Sequence, residues 1–156
     1  MSLFGRVKHK EAKFMKLLLL LSLVPFAALS QTVDSKYKVG QQWSYSARPG
    51  EEKSYLIIVR IDNDPKLGRI IHISLRGLKI KNPRSPDGIS DVVSHMPFLE
   101  SAIEKSGLKL LKEKVDLPDF EEGYGIWRRA HDTGEAGAYS ITVAEAVDAM
   151  ETALNR

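Results

Sequence analysis

Three runs near the middle of the chain alternate between apolar and polar positions with the period of a β-strand. In Gln41 to Arg48, Trp43, Tyr45 and Ala47 alternate with Gln42, Ser44 and Ser46, which places large rings on one face and polar groups on the other. After turn chemistry at Pro49 to Lys53, the run Ser54 to Asp62 is almost continuously β-branched or apolar, as expected of a central strand. Asp62, Asn63, Asp64, Pro65 and Gly68 mark the next reversal, and Arg69 to Ile80 alternates Ile71, Ile73 and Leu75 with His72, Ser74 and Arg76. The three together predict an antiparallel meander. Within the third strand the apolar set moves from odd positions to 78 and 80 after Gly77, so the pattern predicts a bulge at Arg76 to Gly77 that returns Leu78 and Ile80 to the core face.

From Asn82 to Pro97 no periodicity survives, and Pro83, Pro86, Gly88 and Pro97 punctuate a stretch that reads as the main irregular loop. The remainder is more helical. Pro97 suits a first helical turn, with Phe98, Leu99, Ala102 and Ile103 on one side and Gly107 as the stop. Leu108 to Val115 reads as a strand. Asp119 with Glu122 has capping-box spacing, and Phe120, Tyr124, Trp127 and His131 then form an aromatic stripe that ends before Gly134. Tyr139 to Ile141 predicts a short strand. Thr142 with Glu145 opens a last helix whose face is Val143, Ala146, Val147, Met150 and Leu154. These elements predict an α+β domain: a mainly antiparallel sheet of three to five strands, beginning with a meander and packed on one face by two or three helices.

The N-terminal region has a different pattern. Arg6, Lys8, Lys10, Lys13 and Lys16 precede an apolar run from Leu17 to Leu29, and Ala28, Leu29 and Ser30 supply a signal-peptidase site. That run is shorter than the roughly 20 residues needed to cross a bilayer, so residues 1–30 read as a cleavable signal and Gln31 as the first mature residue, leaving no stable membrane insertion. Met15 followed by Lys16 makes a conventional signal start, so Met15 competes with Met1 as the start. Residues 31–156 then form a single domain, periplasmic or secreted, long enough to bury one core. The leader carries 5 of the 23 Lys and Arg and 1 of the 20 Asp and Glu, so the remainder holds 18 against 19 and is nearly neutral. The basic footprint of a nucleic-acid binder is absent. No cysteine is present, which excludes disulfides, thiolate metal sites, thiol nucleophiles and a lipidated cysteine.

Candidate chemistry is sparse. Asp62, Asp64 and Gly68 have part of the spacing of a calcium loop, but Lys66 sits at a ligand position and the terminal glutamate is missing, so a hairpin turn is the better reading. His72, His95 and His131 match no zinc spacing. No nucleophile elbow and no phosphate-binding glycine loop occur, and no cofactor is implied. Acids at Asp119, Glu121 and Glu122 are explained by a helix N-terminus, and Arg128, Arg129 and His131 by its C-terminal end. Trp43 and Tyr45 read as core. The loop after the third strand is the exception: Lys79, Lys81, Arg84, Asp87, Asp91 and His95 offer both signs of charge to a partner.

Gly40, Trp43, Tyr45, Arg48, Gly50 to Glu52, Pro65, Lys66, Gly68, His72 to Ser74, Gly77, Leu78, Lys81 to Pro83, Pro118 to Tyr124 and Trp127 together form a pattern that resembles a group of small exported bacterial proteins with no assigned function. The resemblance implies bacterial export and carries over no active-site residue. The leading expectation is therefore a non-enzymatic periplasmic protein that binds another protein or an envelope component. Two alternatives stand beside it: a small envelope hydrolase using His72, His95 or His131 with nearby carboxylates, and an inhibitor or immunity-type protein. Two of the histidines and an acid converging in a pocket would favour the hydrolase, and scattered, exposed histidines would count against it.

Overall fold

The computed structural model describes residues 36–156. The signal segment and its cleavage site before Gln31 lie outside the described residues. The chain runs β1 (Gln42–Ser44), β2 (Tyr55–Asp64), β3 (Gly68–Lys81), β4 (Ile89–Leu99), α1 (Glu100–Lys105), β5 (Lys109–Lys112), α2 (Glu121–Asp132) and α3 (Val143–Leu154). The strands make one antiparallel sheet in the order β4-β3-β2-β1-β5, so the fold is the expected α+β class. Among the described residues no helix is long and apolar enough to cross a membrane.

One face of the sheet carries the larger core. Leu56 and Ile58 of β2, Ile71, Ile73, Leu75, Leu78 and Ile80 of β3, and Met96 and Phe98 of β4 pack with Ala102 and Ile103 of α1 and with Val143, Ala146 and Val147 of α3. Tyr37, Trp43 and Tyr45 close the same cluster, with the Tyr45 hydroxyl accepting from Ser54 and the Trp43 indole donating to Gln41. The Thr142–Glu145 capping box opens α3 as the spacing predicts. Arg48 then fastens that helix, donating to Glu51 in its own turn and to Asp148 and Glu151 on α3.

Four register shifts shape the sheet, one of them between β1 and β5 at Gln42 to Trp43 and the other three on β2, β3 and β4. Gly77 adopts φ +74°, and between Arg76 and Ile80 β3 advances four residues while β4 advances two. Leu78 and Ile80 consequently lie in the same cluster as Ile73 and Leu75, because the extra residues restore the core parity. A second bulge, at Val59, shifts the parity of β2, so that Ile61 returns to the core face of Ile58 and Arg60 stands opposite His72. The third falls on β4, where Val93 pairs Leu75 but Met96 pairs Ile73, leaving Ser94 and His95 between them.

That third bulge explains why the stretch from Asn82 to Pro97 is not the irregular loop its sequence suggests. Only 82–88 is a turn, closed by Asn82 N–H to Gly88 O, Ser85 N–H to Asn82 O and Gly88 N–H to Ser85 O. The rest belongs to an eleven-residue strand that runs on to Leu99. Its inward residues Val93 and Met96 stand three apart, so the period of two is interrupted where the extra residue is inserted. Pro97 belongs to β4 and not to the first turn of α1, which begins at Glu100. The strand accommodates a proline because Pro97 turns its backbone outward: its carbonyl accepts from Tyr139 N–H, away from β3. The strand expected at Tyr139 to Ile141 reduces to this bridge between Tyr139 and Phe98. Asp119 also differs from expectation, since Phe120 occupies the N-cap of α2 and no side chain caps it.

Candidate functional site

On β2 and β3, the residues between the core positions point to the opposite face, and α2 packs there. The Asp64-to-Gly68 turn fixes the register, pairing Asp62 with Ile70 and Arg60 with His72. Asp62 is thereby a diagonal neighbour of His72 on one face, within reach of its ring. Asp64 shapes the turn itself, its carboxylate accepting from Lys66 and Leu67 N–H, which is turn chemistry rather than a calcium loop. The β4 bulge delivers His95 to the same face, and the aromatic stripe of α2 lies over all of them. Gly123 is what lets the helix come so near: a Cβ built there would stand 2.8 Å from the Cβ of His95.

The result is a polar and aromatic cluster of two linked halves. In the first, His72 Nδ1 lies 2.9 Å from His95 Nε2 and His72 Nε2 lies 3.4 Å from Asp62 Oδ2. The same carboxylate accepts from the Tyr124 hydroxyl at 2.9 Å and from Arg60 Nε at 2.9 Å. A carboxylate only accepts, so the tautomer that serves Asp62 carries the His72 proton on Nε2, and His72 Nδ1 then accepts from His95 Nε2–H. Burial, with the neighbouring His95 adding to it, pushes the His72 imidazole down to about 4, and burial likewise carries His95 down to about 4. Burial opposes ionisation of Asp62, but the bonds from Tyr124 and Arg60 and the nearby His72 outweigh it and hold the carboxyl below its usual range.

The second half is a clamp. His131 faces acceptors from both ring nitrogens, Ala136 O at Nδ1 and Asp64 Oδ2 at Nε2, each at 2.9 Å. Both nitrogens must therefore donate, which makes the ring an imidazolium, and the bond to Asp64 foremost raises its pKa. The backbone N–H of Leu67, then His131 and the N–H of Lys66, bring Asp64 down to about 2. Trp127 joins the two halves: it stacks on His131, meets His72 edge-on, and donates its indole N–H to Gly137 O.

His72 has 0% of its surface exposed and lies beneath Tyr124 and Trp127. An open cleft of about 600 Å³ lies beyond His131, lined by Asp64 to Leu67, Arg128, Asp132 and Gly134 to Gly137, and it does not include His72 or His95. Among the described residues, no serine or threonine hydroxyl hydrogen-bonds to an imidazole, and no group of three or more His, Asp or Glu is arranged to hold a metal.

The six residues read from the sequence as a partner-binding loop are placed less compactly. Lys79 and Lys81 are exposed on the end of β3, Arg84 and Asp87 lie in the 82–88 turn, and Asp91 is exposed on β4. These five share one hairpin. His95, on the far side of the β4 bulge, is drawn under α2 instead. The Asp62, His72 and His95 alignment is absent from a linear reading because 33 positions separate its ends; the hairpin register was the one available signal for its Asp62 and His72 half. Comparison with protein-family models, curated proteins and solved structures finds no match for this chain.

Proposed function

We propose that this chain is an exported, non-enzymatic protein of the bacterial cell envelope that binds another protein or an envelope component through the exposed end of its β3–β4 hairpin. The observation that carries this reading is the hairpin surface. Among the described residues, Lys79, Lys81 and Arg84 are exposed and make no ion pair, although Lys79 helps to lower the Glu52 carboxyl, and Ile89 and Val92 stand exposed beside them at 38% and 42%. Apolar groups next to exposed cations are what a surface offers to an apolar, acidic partner. The histidines, by contrast, are directed toward one another and toward Asp62 and Asp64 beneath a helix.

The test is to express the full chain in a bacterium with its leader and cross-link in the periplasm. Wild type should give a discrete cross-linked product, and the Lys79→Glu, Lys81→Glu, Arg84→Glu triple variant should lose it without a change in melting temperature. Equal recovery from both sinks the reading. Mass spectrometry of the native product should find Gln31 at its amino terminus; an intact leader removes the export part of the proposal.

A second reading, a small hydrolase, draws support from the Asp62, His72 and His95 alignment, which brings two histidines and an acid together. Its difficulty is access, since His72 is fully buried. Hydrolysis of p-nitrophenyl acetate above the buffer rate, lost in His95→Gln, would favour it; a rate unchanged by that substitution would count against it.

A further inference from the structure

We propose that an extended acidic segment of a partner protein adds as a further strand along the outer edge of β4, between Ser90 and Ser94. The inference rests on the binding reading above and specifies its geometry.

The two ends of the sheet are built differently. Edge strands expose unpaired N–H and C=O groups, and proteins usually blunt them by making them short or placing lysine on them. β5 follows that rule: it has four residues, two of them Lys109 and Lys112. β4 does not. It has eleven residues and no lysine, and every position from Ile89 to Ser94 is exposed or half-buried, whereas Met96 and Phe98 beyond the bulge are buried. Six residues of strand give roughly 20 Å of edge, enough for a short peptide.

The direction of the backbone groups follows from Pro97. Its carbonyl bonds outward to Tyr139, so its register mate His72 points toward β2, and with it Ser74 and Arg76. Ile73 and Leu75 then point toward β4, which makes Leu75 and Val93 a bonded pair and leaves the N–H and C=O of Val92 facing outward. At Pro97 to Leu99 the same edge already accepts strand-like pairing, through Leu99 N–H to Tyr139 O and Tyr139 N–H to Pro97 O. The exposed segment next to it is the unfilled continuation of that edge among the described residues.

Charge selects the occupant. Arg76, Lys79, Lys81 and Arg84 against Asp87 and Asp91 leave the hairpin net positive, which favours an acidic strand at its edge. A second copy of this chain would bring the same excess of cations to the contact and is disfavoured.

The test uses the full processed chain and a fluorescein-labelled decapeptide of alternating glutamate and valine, with a lysine–valine peptide as control. The acidic peptide should bind at least tenfold tighter than the basic one and slow amide exchange at Val92. Val92→Pro removes an outward donor without breaking a ladder bond, so it should keep the wild-type melting temperature and weaken peptide binding at least tenfold. The Lys79→Glu, Lys81→Glu pair should weaken it by a similar factor. The proposal is overturned by unaltered binding to Val92→Pro, by protection at Leu110 and Leu111 in place of Val92, or by sedimentation showing that the chain pairs with itself through Val92. Periplasmic cross-linking retained in Val92→Pro leaves the binding reading standing and removes the strand addition; no cross-linking in wild type removes the binding reading.

Discussion

On one face of the sheet, the side chains that meet a helix are Ile71, Ile73, Leu75, Met96 and Phe98; on the other, they include His72, Asp62 and His95 beneath Tyr124 and Trp127. The first face is held by contacts that need no particular hydrogen bond, and it draws on two helices. The second has a small apolar cluster of Ile57, Val59 and Phe120, but α2 is otherwise docked through directional groups, each with one satisfactory arrangement. Apolar burial changes little with pH. Bonds among two neutral histidines, an imidazolium and two carboxylates change at every titration, so the two faces should respond differently to the same perturbation.

The largest effect should come from the apolar face. Phe98→Ala opens a cavity in a fully buried site and should cost about 3 to 5 kcal/mol, a large share of the stability of a domain this size, read as a shift in the urea midpoint. Acid should come next, and act on the other face. His72 and His95 titrate in the fold near about 4, below the usual value near 6.5, so as pH falls the unfolded chain binds protons first. The stability they contribute is present above about 6.5 and drains away between there and about 4. Tryptophan emission from Trp127 should report the loosening of α2 within that window; a melting temperature flat from pH 7 to 4 would show that the histidine pair is not what docks the helix. His131 works in the opposite sense. Its raised pKa means that its contribution is complete below the unfolded value and is lost as pH rises through the folded one, so His131→Gln should flatten the alkaline side of the profile alone.

Gly123→Ala should cost about 1 to 3 kcal/mol, since the new methyl meets the His95 Cβ, which cannot swing away. A neutral outcome would mean that α2 is free to ride further from β4. Tyr124→Phe removes a single hydrogen bond to Asp62 and should be the mildest, about 0.5 to 1.5 kcal/mol. It should also raise the Asp62 carboxyl, visible by carbon NMR titration, because one of the groups holding its charge is gone.

The local pattern made much of this architecture legible. Alternation found β2 and β3, the shift of parity at Gly77 found the bulge, and the Thr142–Glu145 spacing found the cap of α3. Those signals are short-range, written within a few residues of where they act. β4 was hidden for two physical reasons: an extra residue at Ser94 and His95 interrupts the period of two, and its proline is tolerated only because the strand lies at an edge. Whether a strand is an edge is not a property of its own residues. The histidine cluster is similar, since Asp62, His72, His95 and Tyr124 come from four elements and are separately ordinary. Which residues prefer strand or helix was determined by the sequence alone. Which face α2 covers, which edge stays open and which histidines share a proton were decided only when distant segments packed, because those interactions depend on separation in space rather than along the chain.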